Sequence, residues 1–327
     1  VKCPYRGVFI KNSGTGPLEL SYTGKQKPFR GQFMVDEKPI RKRKFKPQRR
    51  RVIRYAALVA VVALLATLVY FGNTLRAWAY FMQGEYYYNL AEYDEAITNY
   101  DQAVDLGAEW VSLFVTRGWA NFYVENYDAA IADLDRAVEL DPNRANTYKE
   151  RGLIYRGAPD EDHLALVDFT RAVELDPDNA YYHELRGDLR CIDGDQEGGL
   201  ADLDRAVNLD PDRYVVYTTR ARCYEMMGDH ARAIADYDRA IKIRPKKDDL
   251  YMLRAVVYED AGDLDAALAD YTRAIELEPD DDSYYLSRGL IYQELGDYAS
   301  ARRDFEQALR LGSDTAQWAL DQLPGEE

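Results

Sequence analysis

The sequence predicts an all-α chain: a solenoid of seven helix-turn-helix repeats with a capping helix, preceded by one membrane-crossing helix and a basic tail. Three observations predict it. One pattern recurs seven times over residues 77–315, at steps of 34 or 35, with Ala103, Ala137, Ala172, Ala206, Ala240, Ala274 and Ala308 in equivalent places. A repeat of this period is a unit that buries its apolar face only by stacking on its neighbours. The run Tyr55–Phe71 contains no charged residue. Finally, charge divides sharply along the chain. Residues 1–54 hold 16 Lys and Arg against 3 Asp and Glu, so within an overall charge of −15 the remainder carries −28.

Residues 1–51 have few large apolar side chains and are expected to form a basic tail with little regular structure. Nine Lys and Arg lie between Arg41 and Arg54. They act as a topology signal and would contact anionic lipid at about 1 kcal/mol per basic residue near the surface. Nucleic acid is not expected as a partner.

Residues 52–72 are the expected transmembrane helix. These 21 residues rise roughly 30 Å as a helix, the thickness of a bilayer core. Tyr70, Phe71, Trp78, Tyr80 and Phe81 suit the far interface. Residues 73–76 are expected as a juxtamembrane linker. Only Arg76 is basic just beyond the apolar run, so the N-terminus is expected in the cytoplasm and the repeats outside, in a bacterium the periplasm or exterior. The alternative is an organelle membrane with the repeats facing the cytosol.

The repeats run 77–110, 111–144, 145–179, 180–213, 214–247, 248–281 and 282–315. Each splits into two amphipathic helices, as Tyr217, Ala221, Tyr224 and then Ala233, Tyr237, Ala240 show by their spacing. Gly-Asp pairs at 194, 228, 262 and 296 mark the turn inside a unit, and prolines at 142, 177, 211, 245 and 279 mark its end. The third unit has one extra residue near Gly157-Ala158-Pro159. Counted without the extra residue of the third unit, the eighth residue of each unit is small (Gly84, Gly118, Gly152, Gly187, Ala221, Ala255, Gly289), as is the twentieth (Ala96, Ala130, Ala165, Gly199, Ala233, Ala267, Ala301). The twenty-fourth is large: Tyr100, Leu134, Phe169, Leu203, Tyr237, Tyr271, Phe305.

At these residues the chain resembles the tetratricopeptide repeat family across residues 77–315. The resemblance implies a right-handed superhelix and a concave groove that binds peptides or protein segments. It places Trp78, Phe81, Tyr88, Trp119, Phe122 and Tyr123 in an aromatic end of that groove, Lys149, Arg156 and Arg222 in its middle, and Asp249, Glu259, Asp260 and Glu294 at an acidic end. The basic clamp that grips chaperone C-terminal carboxylates is not reproduced.

One departure from the family is regular. The seventh residue of each unit is Arg117, Arg151, Arg186, Arg220, Arg254 or Arg288, and the twenty-third is Asp133, Asp168, Asp202, Asp236, Asp270 or Asp304. In the first unit both turn neutral together, as Gln83 and Asn99. That joint change predicts a ladder of structural ion pairs, with the Asp drawn from the same unit or the preceding one.

No phosphate loop, nucleophile elbow or dinucleotide fingerprint occurs, so neither an enzyme nor a cofactor is expected. His163, His183 and His230 have no metal-ligand spacing, and His183 occupies an aromatic packing slot. Val1-Lys2-Cys3-Pro4-Tyr5 looks like the start of a zinc ribbon, but Arg6 stands where a second Cys is needed, so no metal is expected. Cys191 and Cys223 fall on different helical faces of neighbouring units, which argues against a disulfide.

Residues 316–327 are expected as a capping helix and tail. Asp314 would cap it, and Ala316, Ala319, Leu320 and Leu323 form one face, packed on Phe305 and Leu309 with Trp318 at the edge. The reading is a membrane-anchored scaffold that holds protein partners, as an assembly factor or accessory subunit of a membrane complex. The alternatives are a transport or secretion receptor for cargo peptides and an envelope-biogenesis factor binding glycan or partner enzymes.

Overall fold

The structure, a computed structural model, describes residues 47–159 and 162–324, and these contain helices and turns with no strand among them. The tail reading over residues 1–46, including Cys3, lies outside the described residues. The chain divides into two units, residues 1–62 and 63–327; in the first, the described residues are the opening of helix α1.

Helix α1 runs Pro47–Asn89 without a break. Proline suits its first position, and none follows within it. Residues 47–51 and residues 73–76, expected as tail and linker, are therefore helical. Gly72 lowers helix propensity by only about 1 kcal/mol and does not end the helix, and Thr74 Oγ1 bonds back to the Tyr70 carbonyl at 2.9 Å. Every residue from Arg54 to Gly72 is exposed. The stretch Arg54–Asn89 is long and apolar enough to cross a bilayer. From Ala77 onward α1 becomes one-sided: Ala77 is buried, and Gly84 lies against the Tyr100 ring.

The other helices are α2 (Tyr93–Asp105), α3 (Val111–Tyr123), α4 (Tyr127–Leu140), α5 (Ala145–Gly157), α6 (Asp162–Leu175), α7 (Ala180–Ile192) and α8 (Gln196–Leu209). Then follow α9 (Tyr214–Met226), α10 (His230–Ile243), α11 (Asp248–Asp260), α12 (Leu264–Leu277), α13 (Asp282–Glu294), α14 (Tyr298–Leu311) and α15 (Asp314–Asp321). From α3 to α14, successive pairs pack on each other, and each second helix packs on the next unit's first. Neighbouring first helices also touch, α3 with α5 and α7 with α9.

Small residues set the spacing within a pair, and large ones fill it. A Cβ added at Gly118 would sit 2.2 Å from Leu134 Cδ2. Tyr100, Leu134, Phe169, Leu203, Tyr237, Tyr271 and Phe305 are all buried, each contributing roughly 1.5–3 kcal/mol of apolar burial. The turn inside a unit is built as the spacing requires. Gly228 takes φ +72°, and Asp229 then caps α10 by accepting the Arg232 N–H at 3.0 Å. The first two units lack that glycine, so Ala91 and Glu125 carry the left-handed turn at φ 60°.

The fourth residue of a unit packs and also bonds. Tyr148, Tyr217 and Tyr251 donate their hydroxyls to the carbonyls of Pro142, Pro211 and Pro245 at 3.0–3.1 Å. His183 does the same work in the fourth unit, with Nε2 3.0 Å from the Pro177 carbonyl and Nδ1 3.2 Å from Asp202.

Two expectations are corrected. Cys191 and Cys223 form a disulfide, with Cα atoms 5.6 Å apart. Their spacing along the sequence puts them on different helical faces, which predicts that they stay apart. However, α7 and α9 lie side by side, so one helix's leading flank meets the other's trailing flank, and cysteines on different flanks meet. The cap also differs in detail. Ser313 takes the N-cap position rather than Asp314, and Ala319 and Leu323 pack with Phe305 and Ala301, beside Leu286 and Tyr292. Leu309 stands outside that cluster because it lies one residue, about 100° of helix, beyond the buried Ala308. Trp318 is 65% exposed and does not cover the edge.

Candidate partner-binding surface

The arginines of the ladder each bond one Asp of the same unit through two nitrogens. Arg151 Nε and Nη2 lie 2.7 Å from Asp168 Oδ2 and Oδ1. The same fork joins Arg117 to Asp133, Arg186 to Asp202, Arg220 to Asp236, Arg254 to Asp270 and Arg288 to Asp304. The third nitrogen reaches the preceding unit: Arg117 Nη1 to Asp101 at 2.7 Å, Arg151 to Asp135 at 2.7 Å, Arg220 to Asp204 at 2.6 Å, Arg254 to Asp238, and Arg288 to Thr272 Oγ1 at 3.0 Å. Each of these arginines thus joins three helices. The acceptor is the twenty-fifth residue of the preceding unit, which repeats as Asp in the sequence at 101, 135, 204 and 238.

For Arg186 the equivalent residue of the preceding unit is Thr170 rather than Asp, and here the network is rebuilt. Asp202 receives His183 and Arg190 Nη1 (2.8 Å) as well as Arg186. Burial opposes its ionisation, yet the Arg186, His183 and Arg190 donors together hold the Asp202 carboxyl below the usual range. With fewer donors, burial pushes Asp133 and Asp168 up against the pull of Arg117 and Arg151.

The aromatic candidates separate into three groups. Tyr88, Trp119, Phe122 and Tyr123 come together. The Tyr123 ring stacks on Tyr93 at 4.6 Å and lies 6.2 Å from Tyr88 and 6.0 Å from Trp119. Phe122 meets Trp119 at 5.4 Å and Tyr127 at 5.6 Å. Tyr93 and Tyr127, which open second helices, complete the cluster; they lie outside the first-helix positions that the family resemblance assigns to the groove. Phe81 belongs to the core of the first unit, packed on Tyr100 and Trp110. Trp78 is 56% exposed on α1.

The basic candidates do not stand free. Lys149 pairs with Glu150 at 2.6 Å, and Glu150 also accepts the Trp119 indole N–H at 3.0 Å, which ties the charged stretch to the aromatic one. Arg156 (2.7 Å) and Arg222 hold the buried Asp188 from opposite sides, so this trio spans the third to fifth units. Arg213 pairs with Glu184 at 2.5 Å and lies over the Tyr181 ring at 4.8 Å. Burial pushes the Glu184 carboxyl up despite Arg213. At the acidic end Glu259 accepts the Tyr271 hydroxyl at 2.5 Å, and among the described residues no Lys or Arg pairs with Glu259, Asp260 or Glu294. No group of three His, Cys, Asp or Glu among the described residues could hold a metal ion.

Family models described as tetratricopeptide repeat match residues 79–106, 111–144, 214–247 and 283–314, and one described as TPR repeat matches 257–296. No curated protein matches the chain. Among solved structures, it is similar to a tetratricopeptide repeat protein from Parabacteroides merdae, with 17% identity over 76% of this chain and 98% of that one and a TM-score of 0.60. It is also similar to the C-terminal part of a TPR repeat-containing protein from Cytophaga hutchinsonii, with 16% identity over 73% and 99% and a TM-score of 0.57. A chain of the APC/C hetero-tetramer Cut9–Hcn1 follows, with 14% identity over 72% and 47% and a TM-score of 0.54. At these identities the likeness is one of fold.

Proposed function

Because the chain belongs to the tetratricopeptide repeat family, whose repeats form scaffolds for protein–protein interaction, we propose that it is a membrane-anchored scaffold. In this reading residues 52–72 of α1 cross the bilayer, residues 77–315 hold protein partners, and residues 316–327 close the end. Its job is to recruit or retain subunits of a membrane complex rather than to catalyse a reaction. The observation that carries the reading is that α1 is uncharged and exposed all round from Tyr55 to Phe71, on the same helix that enters the first repeat. Such a surface has no covering core and suits lipid.

The partner segment would dock on Tyr88, Trp119, Phe122 and Tyr123. Rigid aromatic rings with polar tips are common anchors of protein interfaces. The lysine and arginines beyond them are already paired, so they would set register more than attract charge. The basic residues from Arg41 to Arg54 orient the chain with its tail in the cytoplasm and its repeats outside. Detergent co-purification of the whole chain tests the proposal. A partner at fixed stoichiometry, lost in Trp119→Ala/Tyr123→Ala, is expected, together with resistance of the chain to carbonate extraction. Release into the soluble fraction by carbonate would overturn the anchor. Weak, salt-sensitive peptide capture would replace a stable scaffold with a cargo receptor.

A further inference from the structure

The middle of the solenoid contains a feature that partner binding does not use. Cys191 and Cys223 are 2% and 1% exposed and join α7 to α9 across two units. The sequence around them is adapted to this bond. The twentieth residue of every other unit is Ala, but here it is Gly199. A Cβ at Gly199 would lie 2.4 Å from Cys191 Sγ and 2.8 Å from the Gly187 carbonyl oxygen. Gly187 and Gly199 thus let α7 settle onto α8 and leave room for the Cys191 sulfur. The same two helices, α7 and α9, carry the Asp188–Arg222 pair, with Asp188 about one turn before Cys191 and Arg222 next to Cys223.

We infer that Cys191 and Cys223 are the substrate of an oxidising thiol–disulfide exchange, and that the bridge locks the fourth and fifth repeats on the oxidising side of the membrane. The inference rests on the proposed orientation, which puts the repeats outside the cytoplasm, where disulfides persist. The reaction balances as two exchanges. One cysteine thiolate attacks a sulfur of an oxidised dithiol donor, a disulfide-bearing oxidoreductase, and the donor's S–S bond breaks with one thiolate leaving. The second cysteine thiolate attacks the mixed disulfide and expels the donor's other thiolate. Two electrons pass to the donor, which becomes a dithiol by taking up the two protons that the cysteines lose. Because both sulfurs are buried, the exchange must precede closure of α7, α8 and α9, and the finished bond is shielded from external reductant until these helices open.

The test uses the full chain with Cys3→Ser, produced in a bacterial inner membrane. Cells are quenched in acid, denatured, and labelled with a mass-tagged maleimide before or after reduction. Intact spheroplasts are treated with protease in parallel. The expected result is no label before reduction, two labels after it, and digestion of the repeats from outside. Cys191→Ser should then show one label without reductant, which proves that the reagent reaches the site. Two labels before reduction with the repeats digested would overturn the bridge while leaving the orientation standing. Two labels with the repeats protected would overturn both. A bridge in a protease-protected repeat domain would overturn its placement on the oxidising side.

Discussion

Arg151→Leu should destabilise the third repeat by about 3–4 kcal/mol at pH 7, mostly through the carboxylate it leaves behind. Asp168 is 3% exposed at its side chain and receives both of its short hydrogen bonds from Arg151. The leucine fills part of the guanidinium's volume, so packing loss is the smaller part. The exposed limb to Asp135, a surface pair, is worth about 1 kcal/mol or less. The dominant cost is bounded, because a stranded carboxylate can protonate instead. From an unfolded carboxyl near 3.9, neutralisation at pH 7 costs roughly 4 kcal/mol at 1.36 kcal/mol per unit, which sets the ceiling. Burial already pushes Asp168 up with Arg151 present, so without it the folded value rises further. For a raised folded value the sign is definite. The penalty is largest well above the unfolded value and fades as pH falls toward it, so by about pH 4 only the packing loss of about 1 kcal/mol should remain. Urea unfolding of the full chain in mild detergent at both pH values measures this, with hydrogen exchange of α5 and α6 as the local readout. The double variant Arg151→Leu/Asp168→Leu should recover most of the loss, and Arg220→Leu, which strands the buried Asp236, should also destabilise at pH 7. An unchanged midpoint at pH 7, or a loss of equal size at pH 4, would refute the argument.

The remaining predictions concern the turns, the cap and the fourth unit. Ala91→Gly and Glu125→Gly should each stabilise by about 0.5–1 kcal/mol, since both residues sit at φ 60°, where a Cβ is strained; thermal melts that shift downward would contradict this. Truncation after Gly312 should lower the melting temperature and promote self-association, because it uncovers Phe305 and Ala301, and light scattering with a melt checks both effects. Asp202→Asn should cost most at neutral pH and progressively less as pH falls below the unfolded carboxyl range. A carboxyl held low stabilises above its unfolded value and loses that contribution as pH falls through its folded one, and acid titration of both proteins by circular dichroism follows the convergence.

Much of this architecture could be read from single residues. Gly118, Ala130 and Leu134 recur as a small-small-large set, and a helix pair can satisfy that set in only one close packing, so the repeats and the burial of their large residues follow from composition at fixed spacing. The paired loss of Arg and Asp in the first unit pointed to contact, and the forked bonds of the other six units have that geometry. Other features needed three dimensions. Asp101, Asp135, Asp204 and Asp238 repeat as plainly as their neighbours, but their role depends on how far one unit is displaced from the next, which no intra-helix spacing encodes.

What the sequence by itself determined is therefore local and periodic: where the repeat helices turn, which face of each is apolar, that Tyr55–Phe71 carries no charge, and which residue types recur in register. These follow from backbone sterics, side-chain volume and charge, all properties of neighbours along the chain. The tertiary structure decided what happens between helices that are not neighbours in sequence. It brought Tyr93 onto Tyr123, placed Asp188 between Arg156 and Arg222, and joined Cys191 to Cys223 through opposite flanks of adjacent helices. The reason is physical. The offset and rotation between stacked repeats come from the summed packing of every interface residue, so contacts across them are set only once the whole stack has closed.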